Sequence, residues 1–207
     1  MTTEGESATL SRKTLRALAL AASKDPTRYY LHGVLVEIRP KHVTYVATDG
    51  HIMLADRLED LEGVQDNTLL GNFIIPAEVC NDKRLINKNI DFVSITKMDN
   101  KLVLDGAIIF SPVDGVFPDW RRVLPEETSG EVAQYNSALL ATLDKAAKIA
   151  FGARYANNAS PHGTVAHNGG GPAIVAWSWS ETFFGLIMPF RSGCKSPIVP
   201  AWVRERA

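Results

Sequence analysis

The chain has 207 residues, of which 45% are hydrophobic and 22% are charged. This composition is ordinary for a globular protein and excludes the fibrous and disordered classes. The net charge of −1 at pH 7 gives no overall attraction for nucleic acid, so any such contact would depend on a local cluster of Lys and Arg.

The first predicted element is an amphipathic helix that begins after Ser11, a residue type suited to the N-cap. Its apolar stripe recurs at helical spacing and consists of Leu15, Leu18, Ala19 and Ala22. Three basic residues fall outside that stripe: Arg12, Lys13 and Arg16. The helix is expected to end before Pro26, because the residue preceding a proline avoids the helical region.

Three strands are predicted after this helix. Residues 29–38 and 42–47 are rich in Val, Ile, Tyr and Leu, and residues 39–41 between them predict a hairpin turn. A third strand, 52–58, follows a turn-like sequence that contains Gly50.

The same order of elements then starts again. Residues 73–75 predict a short strand, and Pro76 suits the first turn of a short helix. The basic residues on or beside that helix are Lys83, Arg84 and Lys88. Three further strands are predicted at 92–97, 101–104 and 107–111.

A third round begins near Glu131. Asn136 can cap a helix. The apolar stripe of that helix consists of Leu139, Leu140, Leu143, Ala147 and Ala150, and its other side carries Lys145 and Lys148. Strands are predicted at 164–167, 174–180 and 183–188.

One pattern therefore occurs three times: a strand, a helix with basic residues opposite its apolar face, and about three strands. Antiparallel strands backed by helices predict an α+β fold. We number the repeats unit 1 (7–70), unit 2 (71–125) and unit 3 (126–191). Units 1 and 2 are expected to form one domain within 1–125, unit 3 to form a half-domain, and 192–207 to be a C-terminal extension.

The cysteines and the N-terminal region indicate the compartment. Cys80 and Cys194 lack the spacing of a zinc site or a disulfide framework, and isolated thiols fit a reducing environment. The apolar run at 17–22 is too short to span a bilayer. We therefore expect a soluble cytoplasmic protein without membrane contact, metal or cofactor.

Sequences in three separated parts of the chain give it a family resemblance. Residues 28–33 read RYYLHG and 46–51 read VATDGH, 117–125 read FPDWRRVLP, and 188–191 read MPFR. In the same order, they resemble RYYLNG, VATDGHRLA, FPDYRRVLP and MPMR of the bacterial DNA polymerase III beta sliding clamps. The resemblance implies a DNA clamp-like fold with helices facing DNA and sheets outside.

The resemblance covers the family's chain only in part. Residues 7–125 resemble the whole middle domain, and 131–191 resemble the second half of the last domain. Rings of this family contain twelve helix-bearing units, so three units per chain would require a homo-oligomer of four chains. A clamp loader is a further partner that the resemblance implies.

By the resemblance, the helices would hold the phosphates of duplex DNA without reading its sequence. The candidate DNA contacts are Arg12, Lys13, Arg16, Arg28, Tyr29, Tyr30, Lys83, Arg84, Lys88, Lys145 and Lys148. The two tyrosines would stack on bases or pack on the sugar backbone. The alternatives are that the cations only solvate exposed helix faces and that one tyrosine belongs to the core.

The resemblance also implies an apolar pocket that docks short linear motifs of a DNA polymerase or a related partner. Its candidate residues are Leu31, Thr48, Gly50, His51, Ile52, Met53, Pro118, Arg122, Val123, Leu186 and Met188. Gly50 would permit close backbone approach, and Arg122 would hold a carboxylate or a carbonyl. The alternative is that these residues form ordinary core between two packed units.

The chain departs from the family pattern at several positions. Ile52 replaces an arginine, Trp120 a tyrosine, and Phe190 a methionine. The chain also continues past the family's usual end, and we expect the apolar stretch in 192–207 to cover or regulate the pocket.

Three classes of function can be considered for this sequence. The first is a processivity clamp, and the second is an adaptor or decoy that keeps the pocket without encircling DNA. An enzyme could be built around Asp49 and His51, but the sequence has no nucleophile elbow, metal spacing or phosphate-binding glycine loop. We therefore predict no catalytic residues.

Overall fold

The structure is a computed structural model, and it describes residues 6–59, 67–86, 90–152 and 162–190. The side chain of Ile86 is not part of this description. Lys88, Cys194 and the extension 192–207 lie outside the described residues, so the expectations attached to them stay predictions.

The helices and strands follow the predicted order, except that β1 was not predicted and that residues 129–136 before the third helix form no strand. The strands are β1 (Ser7–Ser11), β2 (Gly33–Ile38), β3 (His42–Thr48), β4 (Ile52–Glu59), β5 (Gly71–Pro76), β6 (Phe92–Met98), β7 (Lys101–Leu104), β8 (Ile108–Phe110), β9 (Thr164–Ala166), β10 (Ala173–Ala176) and β11 (Phe184–Ile187). The helices are α1 (Arg12–Leu18), α2 (Ala77–Cys80) and α3 (Ser137–Phe151). Short 3-10 helices occur at Ala19–Ala21, Pro26–Leu31, Lys83–Ile86 and Trp120–Val123.

Local signals explain where the two longer helices begin. The Ser11 side chain accepts a hydrogen bond from the Thr14 N–H at 3.2 Å, and the Asn136 side chain accepts one from the Ala138 N–H at 2.9 Å. Each cap satisfies an amide that has no partner within its helix. Both predicted N-caps are thus present.

Residues 29–31, predicted as strand, form a 3-10 turn instead. A first turn precedes it, which Asp25 caps by accepting a hydrogen bond from the Thr27 N–H at 2.9 Å and in which Pro26 has its φ already set for a helix. Non-helical backbone at Arg28, with φ −114° and ψ 47°, separates the two turns.

Units 1 and 2 exchange the strand that precedes each helix. β1 of unit 1 pairs antiparallel with β6 of unit 2, and β5 of unit 2 pairs antiparallel with β2 of unit 1. The resulting four-stranded sheet has the order β1-β6-β7-β8. We call this contact between two units the exchange junction.

Unit 3 joins unit 1 in a different way. The last strands of the two units, β4 and β11, pair antiparallel, with Met53 opposite Leu186 and Ile52 opposite Ile187. This contact, which we call the last-strand junction, gives a seven-stranded sheet with the order β5-β2-β3-β4-β11-β10-β9. Helices α1 and α3 pack against each other across it.

The last-strand junction is stabilised by a half-buried polar group. The Asp56 carboxylate accepts hydrogen bonds from Thr14 Oγ1 at 2.8 Å and from Thr182 Oγ1 at 2.9 Å. Burial raises the pKa of Asp56 although these hydrogen bonds act in the opposite direction. One side chain of β4 therefore connects α1 with unit 3.

A continuous apolar core lies between the helices and the sheets. In unit 3, the Phe183 ring packs edge-on against Trp177 and Phe151, with ring centroids 5.0 Å and 5.2 Å apart. In unit 1, Tyr45 is fully buried, and its hydroxyl accepts a hydrogen bond from the Ser11 N–H at 2.8 Å. The antiparallel sheets and the helices packed on them confirm the α+β class.

Candidate functional site

The basic residues of α1 are less accessible than the sequence predicts. Arg12 is buried, with 5% of its surface exposed, and donates hydrogen bonds to the backbone carbonyls of Leu85 and Ile90. The prediction that its side chain faces DNA is therefore wrong for this structure, because Arg12 connects α1 to unit 2. Arg16 is half-buried, and its Nε has no hydrogen-bond partner among the described residues.

We expect Arg12→Met to lower the free energy of unfolding by about 2–3 kcal/mol, because the buried Leu85 carbonyl and the part-buried Ile90 carbonyl would lose a charged donor. The neighbouring Lys13 is partly exposed and pairs with exposed Asp91. Lys13→Met should therefore cost about 1 kcal/mol or less. Denaturant unfolding of both variants checks this, and equal losses of stability would contradict the structural role of Arg12.

Four of the cations predicted to contact DNA are exposed on α3 and in the 3-10 helix that follows α2. Lys145 and Lys148 are exposed on the side of α3 opposite Leu143 and Ala147, which are buried. Lys83 is exposed as well. Arg84 is exposed but already forms a two-point contact with the Asp82 carboxylate, at 2.9 Å and 2.7 Å.

Arg28 and the two tyrosines are close to the turn that precedes β4. Arg28 donates a hydrogen bond to the Asp49 carbonyl at 3.2 Å. The rings of Tyr29 and Tyr30 meet edge-on at 5.7 Å, and Tyr29 is 54% exposed. This exposure leaves Tyr29 accessible to a ligand, whereas Tyr30 is half-buried.

The predicted pocket residues converge on one cavity of about 190 Å³ at the last-strand junction. Ten of the eleven predicted residues line it: Leu31, Thr48, Gly50, His51, Ile52, Met53, Pro118, Val123, Leu186 and Met188. Sequence reasoning missed four more lining residues, Phe117, Asp119, Trp120 and Pro172. The first three lie within the 117–125 sequence and could have been included, whereas nothing in the sequence around Pro172 pointed to the pocket.

A tight turn forms one edge of this pocket. The Asp49 carboxylate accepts hydrogen bonds from the N–H groups of His51 and Ile52, at 2.8 Å and 2.9 Å. Gly50 has a φ of +90°, and a Cβ there would lie 2.7 Å from Arg28 Nη1. The backbone conformation therefore favours glycine, whereas the exposed Arg28 side chain could move away from a Cβ.

Unit 3 contributes the opposite edge. The chain continues past β11 so that the Met188 N–H donates a hydrogen bond to the His51 carbonyl at 2.8 Å. This bond sets the backbone position of Met188, whose side chain is 41% exposed. Leu186 is buried beneath it.

The third wall of the pocket is the 3-10 helix Trp120–Val123, which is anchored to β2 of the seven-stranded sheet. Arg121 donates two hydrogen bonds to Glu37, Nη1 to Oε1 at 3.1 Å and Nη2 to Oε2 at 2.7 Å. Its guanidinium also stacks over the Trp120 ring at 4.2 Å. Burial would raise the pKa of Glu37, but the hydrogen bonds and charge of Arg121 outweigh burial and lower it.

Arg122, the remaining predicted pocket residue, is exposed and does not line the cavity. The anchoring arginine is its neighbour, Arg121. A larger and more polar groove of about 700 Å³ adjoins this wall and shares four residues with the pocket, Phe117, Pro118, Asp119 and Trp120. We favour the smaller cavity as the docking site, because its lining is mostly apolar.

We expect Arg121→Ala to weaken binding of an apolar peptide in the pocket by about tenfold, or about 1.4 kcal/mol, because the third wall would lose its anchor. Arg122→Ala is the matched control and should leave the affinity within about twofold, a change below about 0.5 kcal/mol. Isothermal titration calorimetry on both variants measures this. A larger loss for Arg122→Ala would restore the predicted role of Arg122 and remove that of Arg121.

Among the described residues, no three His, Cys, Asp or Glu side chains come together as a metal site. No helix within the same ranges combines the length and apolarity that a membrane crossing requires.

Comparison with known proteins identifies the fold and the family. Residues 7–119 match the DNA polymerase III beta subunit, central domain. The beta sliding clamp of Halalkalibacterium halodurans is 29% identical over 136 residues, and that of Pseudomonas aeruginosa is 30% identical over 118 residues. These alignments cover 64% and 55% of this chain but 36% and 31% of the relatives.

Solved structures extend the likeness to unit 3. The beta subunit of Thermotoga maritima superimposes with a TM-score of 0.70 at 14% identity, covering 91% of this chain and 66% of that one. The Bacillus subtilis clamp gives 0.68 at 16% identity, covering 93% and 66%. The chain thus has the clamp fold over about two thirds of the length of these structures, and it belongs to the DNA polymerase III beta subunit family, the bacterial sliding clamps.

Proposed function

We propose that this chain acts without catalysis as a sliding-clamp-type accessory protein of DNA replication or repair in the cytoplasm. In this proposal it docks short linear motifs of a polymerase or related partner in the pocket between units 1 and 3. It also holds duplex DNA along its helical side without reading sequence. The observation that carries the proposal is the convergence of ten predicted residues on one apolar cavity.

The chemistry of the pocket suits a short apolar peptide. Its walls combine rigid aliphatic side chains, such as Ile52 and Leu186, with Met53 and Met188, whose flexible thioethers adapt to different partners. A partner that inserts Leu or Phe side chains would bury them against these walls. Ile52, which replaces the family's arginine, makes this pocket more apolar than the family pattern.

The proposed DNA contacts are the cations that remain accessible. They are Lys13, Arg16, Arg28, Lys83, Arg84, Lys145 and Lys148, with Tyr29 and Tyr30 beside them, and Lys88 remains a candidate outside the described residues. Because the chain has a net charge of −1, binding would be moderate and strongly dependent on salt. A clamp loader and further copies of the chain are the other proposed partners.

Two binding measurements on the full chain test this proposal. Fluorescence anisotropy would follow a labelled hexapeptide carrying Leu and Phe, with a scrambled peptide as control, and separately a labelled DNA duplex at two salt concentrations. We expect saturable binding of the peptide and salt-dependent, sequence-independent binding of DNA. Peptide binding without DNA binding would replace the clamp by an adaptor, and absence of both would overturn the proposal.

A further inference from the structure

A second cavity adjoins the docking pocket. The groove of about 700 Å³ shares the residues 117–120 with the pocket. The rest of its lining combines buried apolar side chains, such as Leu35 and Ile74, with exposed polar ones, such as Asn72 and Ser111. A peptide that is longer than the motif held in the pocket therefore has a path from the pocket along the protein surface.

One side of the groove is the loop 111–119. At Gly115 this loop packs closely against a neighbouring turn, because a Cβ there would lie 2.9 Å from the Tyr30 Cβ. Tyr30 directly precedes Leu31, which lines the pocket. Asp114, which precedes Gly115 and lines the groove, therefore lies in the part of the groove that is next to the pocket.

The charged lining of the groove is mainly acidic. It consists of Glu37, Asp114, Asp119 and one cation, Arg121. The Arg121 guanidinium is already paired with the Glu37 carboxylate at 2.7 Å. Asp114 and Asp119 are exposed and have no ion pair among the described residues. Two carboxylates of the groove are therefore available to a cation of a ligand.

The far end of the groove has a different charge. A smaller cavity that shares Asn100 with the groove is lined by Lys97 and Lys101 as well as by Asp99. Asp119, by contrast, lines both the groove and the docking pocket. A cation of a ligand is therefore favoured beside the pocket and not at the far end.

We propose that the groove binds the part of a docked partner that directly adjoins its apolar motif, and that this part carries Lys or Arg beside Asp114 and Asp119. The inference rests on the proposed function, because the motif in the pocket brings the adjoining residues to the groove. Attraction between exposed charges is modest in water. It nevertheless adds to the affinity of a motif that is already held, and it discriminates between partners.

The test is titration of the full chain, at low salt, with the hexapeptide that carries Leu and Phe and with longer versions of it. The longer versions carry two added Lys or two added Glu at one end or at the other. At one of the two ends, we expect the Lys pair to tighten binding about three- to tenfold and the Glu pair to weaken it. The difference should become smaller at high salt, because exposed charges are screened.

Asp114→Lys reverses one charge of the groove at an exposed position. The Asp114 side chain has no hydrogen bond or ion pair among the described residues, so folding should be retained. The affinity for the hexapeptide alone should stay within about twofold, because Asp114 does not line the pocket. The peptide with added Glu should now bind at least as tightly as the peptide with added Lys.

Glu181→Lys is the matched control. It makes the same change of charge at an exposed residue before β11 that lines neither the groove nor the pocket. The preference for added Lys over added Glu should persist in this variant. Loss of the preference in both variants would assign it to the total charge of the protein and overturn the role of the groove.

The outcome is separable from that of the proposed function. Binding of the hexapeptide with equal effects of Lys and Glu at both ends would overturn the groove and leave the docking pocket in place. A preference for Lys that Asp114→Lys does not remove would do the same. Absence of hexapeptide binding would overturn the docking pocket, and the role of the groove with it.

Discussion

Met188→Asp is expected to reduce peptide affinity at least a hundredfold, which corresponds to about 2.7 kcal/mol. Met188 forms one edge of the pocket, and a peptide docked there would bury the new carboxylate against apolar walls without a partner. The fold should be retained, because the side chain is 41% exposed in the free protein and its N–H bond to the His51 carbonyl does not involve the side chain.

The control for this change is Met98→Asp. Met98 is 50% exposed on β6, in the other sheet, and has no part in the pocket. Both variants receive the same charge, so a difference between them reports the site and not the net charge. Calorimetric titration with the peptide and thermal unfolding of both variants give the comparison. Unchanged affinity in Met188→Asp would contradict the assignment of this pocket as the peptide-binding site.

The double change Lys145→Glu and Lys148→Glu is expected to weaken duplex binding about 10- to 100-fold at low salt. The two lysines are exposed neighbours on α3, and each phosphate contact contributes about 0.9 to the slope of log affinity against log salt. Losing two contacts should therefore lower the magnitude of that slope by about 2. Repulsion between the new carboxylates and the phosphates should weaken binding further. Titrations of a DNA duplex at several salt concentrations measure both quantities.

The matched control is the double change Lys97→Glu and Lys101→Glu, which reverses the charge of two other lysines. These residues are exposed on the four-stranded sheet, on β6 and β7, so the change in net charge is the same on a different surface. If both double variants weaken DNA binding equally, the effect is one of total charge, and the helical surface loses its assigned role.

Much of the fold could be predicted because its signals are local. The alternation of apolar and polar residues predicted most of the strands, and Ser11 and Asn136 predicted where two helices begin. Strand β1 was missed because Ser7–Ser11 is short and mostly polar, and only its pairing with distant β6 defines it. The sequence pattern alone could not locate a partner more than eighty residues away.

The sequence predicted which residues lie around the pocket better than it predicted which basic residues are accessible. Ten of the residues predicted for the pocket lie around one cavity, because the family resemblance supplied three separated segments that the fold brings together. Arg12 was misplaced because its position opposite an apolar stripe says nothing about what covers that side. In the structure, Arg12 is buried, and the carbonyls of Leu85 and Ile90 in unit 2 accept its hydrogen bonds.

The last-strand junction has a consequence for the integrity of the pocket. Unit 1 supplies Ile52 and Met53 to its lining, and unit 3 supplies Leu186 and Met188. Because β4 and β11 hold these residues side by side by antiparallel pairing, a change that separates units 1 and 3 would dismantle the pocket without altering a single residue of its lining.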